Sequence, residues 1–187
     1  MTTTRENIIH EADYLVRNNG YNAFSFKDIS NAIGIKTASI HYHFPTKSDL
    51  AIAVLEEHLS ILEKTRECYK NKTPLENLDK FLSIYSQIKK ENKVCIVGSL
   101  ATDLNTVDEK IKGKLKTFAL AFLDWVAAFL EKGRKEHIFH FDCTPRIKAL
   151  LIISNMLAIL QLSRLTGQED FENVKKTIKN ELLKKMI

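Results

Sequence analysis

Glycine, proline and cysteine are scarce in this chain, which has 6, 3 and 3 of them among 187 residues. An all-β fold needs many tight turns, so the shortage of glycine and proline favours a mostly helical chain. The widely spaced cysteines Cys68, Cys95 and Cys143 indicate reduced cytoplasmic thiols rather than a disulfide framework. We find no apolar run of the roughly 20 residues that span a membrane and no signal peptide, so we expect a cytoplasmic protein without a membrane partner.

The overall composition is that of a soluble globular protein with a real core, with 44% hydrophobic and 27% charged residues. The net charge is +5, but residues 1–50 carry five basic and five acidic side chains. The surplus positive charge therefore lies downstream. If the amino-terminal part binds nucleic acid, it does so through a few well-placed groups rather than through bulk charge.

Helix start signals divide the chain into a predicted all-α fold. Ser25 with Asp28 and Thr46 with Asp49 have the spacing of capping boxes. Further starts are predicted at Thr37, before a short helix over 38–44; at Thr106, with Glu109; and at the Thr-Pro pairs 73–74 and 144–145. Residues 137–142 are predicted to be a linker that could be extended. The last helix is amphipathic and includes Met186.

Residues 25–44 have the length and turn chemistry of a helix-turn-helix, two short helices separated by Gly34, Ile35 and Lys36. Ile40 and Phe44 are four residues apart, so both are expected to anchor the second helix inward. The residues that this leaves on the outward surface are Lys36, Thr37, Ala38, Ser39, His41, Tyr42 and His43. From spacing alone, a DNA-reading motif and a helical hairpin of an unrelated core both remain open.

The segment from Arg5 to Leu50 resembles the DNA-binding domain of TetR-type transcriptional regulators. The resemblance rests on residues 24–29 (FSFKDI), 32–35 (AIGI) and 39–50 (SIHYHFPTKSDL). It implies a three-helix DNA-binding domain over 1–46, followed by a helical ligand-binding and dimerisation domain over 47–187. It also implies a homodimer that binds a pseudo-palindromic DNA operator, usually as a repressor that a small-molecule effector releases.

Site residues follow from the resemblance position by position. Ser25 lies where the family often contacts phosphate, and Lys47 is the expected phosphate anchor at a helix start. Thr37, Ala38 and Ser39 fall at the groove-facing start of the recognition helix, where hydroxyl and methyl groups can meet base edges.

The end of the recognition helix carries one departure from the family pattern. Tyr42 matches a position that commonly meets bases, and His43 takes the second tyrosine position, generally a phosphate contact. His41 stands where tyrosine is usual, with a shorter reach and a side chain that titrates near neutral pH. Since His41 and His43 are two residues apart, they point to different sides of the helix, so we expect no metal site, and no cofactor either.

Cys95 has two readings. Free cysteine is usually a small buried hydrophobe. Alternatively, the part of the chain from Cys95 to Arg134 weakly resembles a TetR branch that includes regulators sensing electrophiles or oxidants. A thiol at a helix start, near a cation such as Lys93, is then expected to have a lowered pKa and higher reactivity.

An effector pocket is expected among the downstream helices, for an apolar, aromatic or electrophilic small molecule. The candidate lining residues are Phe81, Tyr85, Phe118, Phe122, Trp125, Phe129 and Met156. Core packing is the competing interpretation for most of them. Asn155 could orient a ligand or face a dimer partner, and the apolar helix around 147–165 with the last helix suggests a four-helix dimer interface.

The sequence therefore predicts a ligand- or thiol-responsive transcriptional repressor. An enzyme is disfavoured, because no nucleophile–base pair, paired-carboxylate motif or phosphate-binding loop stands out. The alternative is a helical partner-binding scaffold without sequence-specific DNA binding, for which His41 and the neutral amino-terminal charge leave room.

Overall fold

The computed structural model describes residues 3–184, and within that range it contains helices but no strand, so the all-α prediction is confirmed. The helices are α1 (Thr4–Asn19), α2 (Phe26–Ile33), α3 (Thr37–His43), α4 (Lys47–Tyr69), α5 (Pro74–Lys90), α6 (Ile96–Thr102), α7 (Glu109–Lys135), α8 (Pro145–Thr166) and α9 (Gln168–Leu183). A 3₁₀ turn, Tyr21–Ala23, follows α1.

The chain forms two compact units. The first contains the described residues up to Ile61 together with Lys93–Ala119, and the second contains Leu62–Asn92 and the described residues from Leu120 onward. Helices α4 and α7 each contribute residues to both units. The division into a DNA-binding part over 1–46 and a regulatory part over 47–187 stays a prediction.

The first unit is built around the apolar stripe of α1. Ile8, Ala12 and Val16 follow one another at helical spacing and are almost fully buried. Thr3 and Glu6 form a capping box at the start of this helix, with Glu6 Oε2 accepting from the Thr3 backbone N–H at 2.7 Å.

Two predicted helix starts are wrong by a few residues. Thr37 is already the first residue of α3 and Lys36 is its N-cap. Helix α7 is capped by Asp108, whose Oδ1 accepts from the Ile111 N–H at 2.9 Å. Thr106 lies in the preceding turn, where its hydroxyl donates to the Asp103 carbonyl at 2.8 Å. Nearby Asp and Thr side chains offer competing caps, and the sequence does not show which one the chain uses.

In the second unit, a glycine in α7 lets the chain fold back tightly. The Gly133 carbonyl accepts from the backbone N–H groups of Ile138 and Phe139 at 2.8 and 3.0 Å. The Phe139 ring covers Gly133 closely, so that a Cβ there would lie 2.1 Å from Phe139 Cδ2. Residues 137–142 are irregular rather than extended, and the His140 N–H donates to the Leu182 carbonyl at 2.8 Å.

Helix α8 packs against α9 and α5 and carries an exposed apolar face. Ala149, Ile152 and Met156 are buried, whereas the exposed apolar residues of this helix are Ile147, Leu150, Leu151, Leu162 and Leu165. Met186 lies outside the described residues.

Helix α8 also corrects the expectation about membrane-length segments. Within residues 3–184 it is the helix that is long and apolar enough to span a membrane by length and composition. Arg146, Lys148 and Arg164 flank its apolar stretch, so the helix contains no uncharged run of 20 residues. One such helix is weak evidence for a membrane span, because core helices of soluble proteins reach the same length and apolar composition.

Candidate nucleic-acid interface

The turn between α2 and α3 is fixed by Gly34 and Ser30. Gly34 has φ +69° and ψ 33°, the left-handed conformation that glycine adopts at low cost, and its N–H donates to the Ser30 carbonyl. The Ser30 hydroxyl crosses the turn and donates to the Ile35 carbonyl at 2.9 Å. These bonds set α3 at an angle to α2, as a helix-turn-helix requires.

Helix α3 is anchored inward and presents its other face to solvent. Ile40 is fully buried and Phe44, just after the helix, is 3% exposed, as predicted from their spacing. Tyr42 is 84% exposed. Of the other predicted contact residues on this segment, the exposed ones are Lys36, Ala38 and His41 and the half-buried ones are Thr37, Ser39 and His43.

The two histidines of α3 lie in different surroundings. His41 packs edge-on against Phe26, with ring centroids 4.9 Å apart, and its Nδ1 lies 3.4 Å from the Pro45 carbonyl oxygen. His43 packs against Tyr42, with ring centroids 5.1 Å apart. In residues 3–184, no group of three or more His, Cys, Asp or Glu side chains is arranged to hold a metal ion.

Ser25 precedes α2 and is exposed, with its side chain engaged by Asp28. The Asp28 carboxylate accepts from both the hydroxyl and the backbone N–H of Ser25, each at 2.7 Å. The hydrogen bonds from Ser25 lower the pKa of Asp28 below its ordinary value. The Ser25 hydroxyl therefore donates its proton to Asp28, and its oxygen can still accept a hydrogen bond from another group.

Lys47 is held by two aromatic residues of the segment between α1 and α2. Its ammonium group donates to the Phe24 carbonyl and lies 4.1 Å from the Phe24 ring centroid and 4.6 Å from that of Tyr21. Burial lowers the pKa of Lys47, and the carboxylates of Asp103 and Asp28 act in the opposite direction. A phosphate bound by Lys47 would have to share its ammonium group with this carbonyl.

The prediction did not single out Arg5, which lies in the first turns of α1 and is exposed. Its guanidinium carbon is 5.2 Å from the centroid of the Phe44 ring, so a cation lies beside the end of the recognition helix. No local motif signals this, because Arg5 and Phe44 are distant in sequence.

Residues 93–108 are tied to α1 and the turn after it. Arg17 and Val94 exchange two bonds: Arg17 Nε donates to the Val94 carbonyl at 2.8 Å, and the Val94 N–H donates to the Arg17 carbonyl at 3.2 Å. The Ser99 hydroxyl donates to the Val16 carbonyl at 2.5 Å. Asp103 accepts from the Tyr21 backbone N–H at 2.8 Å.

A carboxylate on α1 is the centre of a charged cluster in the same unit. Asp13 Oδ1 is 2.7 Å from His58 Nε2 on α4, and Oδ2 is 3.2 Å from Arg17 Nη1 and 3.6 Å from Lys93 Nζ. Burial alone would raise the pKa of Asp13. The His58 hydrogen bond and the neighbouring positive charges outweigh it, so the pKa falls from 3.8 to about 2.

Cys95 is the N-cap of α6 and is half-buried. Burial raises the pKa of its thiol above the ordinary value, and this outweighs the backbone N–H groups of Val97 and Gly98 and the charge of Arg17, which act in the opposite direction. The lowered pKa expected from the helix start is therefore wrong in sign. A sensing role for Cys95 stays a prediction.

The predicted effector residues do not all come together. Phe81, Tyr85 and Trp125 are buried in the second unit with half-buried Phe122, and Phe81 lies 5.3 to 6.5 Å, between ring centroids, from the other three. The rings fill space against one another.

Phe118 and Cys95 belong to the first unit instead. Phe118 is buried there, with its ring centroid 5.9 Å from that of His58. Asn155 is exposed on α8.

Comparison with known proteins places the chain in a family. The family described as bacterial regulatory proteins, tetR family, matches residues 8–54. The crystal structure of a TetR transcriptional regulator from Legionella pneumophila is 35% identical, covers 97% of this chain and 98% of that chain, and superimposes with a TM-score of 0.86.

Two curated relatives are more distant. An HTH-type transcriptional regulator from the lacX 3' region of Lactococcus lactis is 29% identical over 62% of this chain, and the match spans 62% of that protein's length. The HTH-type transcriptional repressor DhaR of Mycobacterium is 22% identical over 86% of this chain and 83% of its own length. With a helix-turn-helix at residues 26–43 and 35% identity to the Legionella regulator over 97% of its length, the chain belongs to the TetR family of transcriptional regulators.

Proposed function

We propose that the protein is a homodimeric repressor that binds a pseudo-palindromic operator and is released by a small-molecule effector. The observation that carries the proposal is the recognition helix α3, anchored by buried Ile40 with Tyr42 84% exposed on its other side. A helix presented in this way fits a major groove about 12 Å wide. Repression, rather than activation, is supported by the name of one relative, the transcriptional repressor DhaR.

The proposed DNA contacts come from three parts of the helix-turn-helix. Thr37, Ala38 and Ser39 with Tyr42 read base edges, and Lys36 and His43 lie beside them for backbone contacts. Ser25 and Lys47 bind phosphate at the starts of α2 and α4. His41 packs against Phe26 and keeps its exposed edge for the DNA backbone.

The proposed dimer interface is the exposed apolar face of α8, with α9 beside it. Leu151, Leu162 and Leu165 are exposed on this helix, and a second copy would remove them from water. Replacing Leu151 and Leu162 together by glutamate is expected to convert a dimer to a monomer in light-scattering measurements. The matched control is Leu104→Glu, an exposed leucine outside α8.

Release is proposed to act through α4, which begins at Lys47 beside the recognition helix and runs unbroken to Tyr69. A ligand that displaces this helix would change the separation of the two recognition helices in the dimer, and half-sites one helical turn apart would no longer be met together. Modification of Cys95 is the second proposed trigger.

The test is fluorescence anisotropy of the full chain on the DNA flanking its own gene, titrated at several salt concentrations. Saturable, sequence-selective binding with a steep salt slope supports the proposal. Tyr42→Ala is expected to weaken specific binding by about 1–3 kcal/mol. Lys36→Gln is expected to reduce the salt slope by about one, whereas Lys64→Gln, an exposed lysine on α4, is the matched control.

Absence of binding even at low salt would overturn the proposal and favour a helical partner-binding scaffold. Effector release is tested separately, because liganded and free dimers that bind operator equally well would refute the mechanism through α4.

A further inference from the structure

A cavity of about 240 Å³ lies within the second unit, between the end of α4, the start of α5 and the carboxyl-terminal half of α7. Its lining contains four basic side chains and no acidic one. The basic residues are Arg66, Lys70, Lys72 and Lys132. The aromatic cluster predicted as the effector pocket contributes Trp125 and Phe129 to the same cavity.

The inner wall of this cavity is aromatic. Trp125 and Phe129 are 5% and 4% exposed, with ring centroids 5.7 Å apart. Asn77 fixes the indole: its Oδ1 accepts from Trp125 Nε1 at 3.2 Å, while its Nδ2 donates to the Tyr69 and Thr73 carbonyls at 3.1 Å each. Asn77 is thereby satisfied, so the wall is apolar rather than polar, with the two rings inclined at 72° to each other.

The lysines around the cavity are partly neutralised by acidic residues outside it. Lys70 pairs with Glu67 at 2.7 Å and Lys72 with Glu76 at 3.6 Å. These pairs are exposed and follow helical i,i+3 or i,i+4 spacing, so each is weak.

Among the basic residues of the cavity, Arg66 and Lys132 have the most capacity to bind an added anion. None of the ion pairs in the described part of the chain involves Arg66. The Lys132 ammonium donates to the Lys72 carbonyl at 3.2 Å and reaches Glu136 only at 4.0 Å. Arg66 can therefore present its planar set of N–H donors to a carboxylate at the mouth of the cavity.

We propose that this cavity binds a small aromatic or apolar-bodied anion, such as a one- or two-ring carboxylic acid. The ring would pack against the exposed parts of Trp125 and Phe129, and the carboxylate would meet Arg66 and Lys132. The inference rests on the proposed function in taking this molecule as the effector, and it narrows the effector class from apolar compounds in general to acids. A neutral amide of the same shape could accept a hydrogen bond from these cations but would lack the attraction between opposite charges.

Tryptophan fluorescence reports on this cavity directly, because Trp125 is the single tryptophan of the chain. Binding of 2-naphthoate to the full-length protein is followed by quenching of the tryptophan emission, and the neutral isostere 2-naphthamide is titrated in parallel. We expect saturable quenching by the acid, at least tenfold tighter than by the amide, and weaker at high salt.

Matched variants locate the anion. Arg66→Gln and Lys132→Gln are each expected to weaken 2-naphthoate binding by about threefold, and together by about tenfold. Lys64→Gln removes the same charge from α4 outside the cavity and is expected to leave binding unchanged. Equal affinity for acid and amide, equal affinity of the double variant and Lys64→Gln, or no quenching at millimolar acid would each overturn the inference.

The outcome is separable from that of the proposed function. Operator binding is measured on the same proteins without the acid. A protein that binds operator but not 2-naphthoate retains the proposed function and refutes this site. A protein that binds 2-naphthoate but no DNA supports this site and refutes the proposed function.

Discussion

The cluster around Asp13 makes a prediction whose size and pH dependence both follow from the structure. The carboxylate is only 16% exposed and faces Arg17, His58 and Lys93. A pKa lowered from 3.8 to about 2 corresponds to about 2.5 kcal/mol of folding free energy, at about 1.4 kcal/mol per unit. Asp13→Asn is therefore expected to lower the free energy of unfolding by about 2 kcal/mol at pH 7.

The sign of the pH dependence is fixed by the direction of the shift. Because the folded-state pKa is below the unfolded one, the stabilisation is fully present well above pH 3.8 and is lost as the pH falls through about 2. The deficit of Asp13→Asn should shrink to about half near pH 3.

Urea unfolding at fixed protein concentration measures this, since dimerisation would make stability concentration-dependent. Glu57→Gln is the control, an exposed acid on α4. Equal midpoints for Asp13→Asn and Glu57→Gln at pH 7, or a deficit that does not change with pH, would refute the electrostatic account.

Two further predictions use pairs of matched positions. Gly133→Ala is expected to destabilise the protein by about 2 kcal/mol in urea unfolding, because the added Cβ would overlap the Phe139 ring. Gly113→Ala, where the added Cβ would have nothing within 4 Å, should stabilise α7 by up to about 1 kcal/mol. The same sign for both variants would contradict the packing described. Cys95 should react more slowly than exposed Cys68 with iodoacetamide at pH 7.5, as followed by peptide mass spectrometry, because burial raises its pKa; faster reaction at Cys95 would restore the activated-thiol interpretation.

The parts of the fold that could be predicted from the sequence are those determined by short-range chemistry. Capping residues, glycine at the end of α2 and the spacing of Ile40 and Phe44 act over three or four residues, so the order of helices and the buried face of α3 follow from local patterns. Where neighbouring residues compete for one cap, as Thr106 and Asp108 do, local chemistry permits either one.

Contacts between segments that are distant in the sequence could not be predicted. Asp13 and Arg17 lie four residues apart on α1, whereas His58 and Lys93 join them from 45 and 80 positions away. Aromatic residues at helical spacing look alike whether they line a cavity or fill a core. Only the fold shows that Trp125 lines a cavity and that Phe81 is fully buried.

The reaction rate of the Cys95 thiol and the structural effect of modifying it are separate questions. Its neighbour Val94 exchanges two hydrogen bonds with Arg17, and Ser99 donates to Val16, so the start of α6 is fastened to α1 on both sides of the thiol. Atoms added to a half-buried sulfur at this point must displace those bonds or remain in solvent. A raised pKa therefore argues against rapid sensing, but not against a large effect of modification on α1, the helix against which the helix-turn-helix packs.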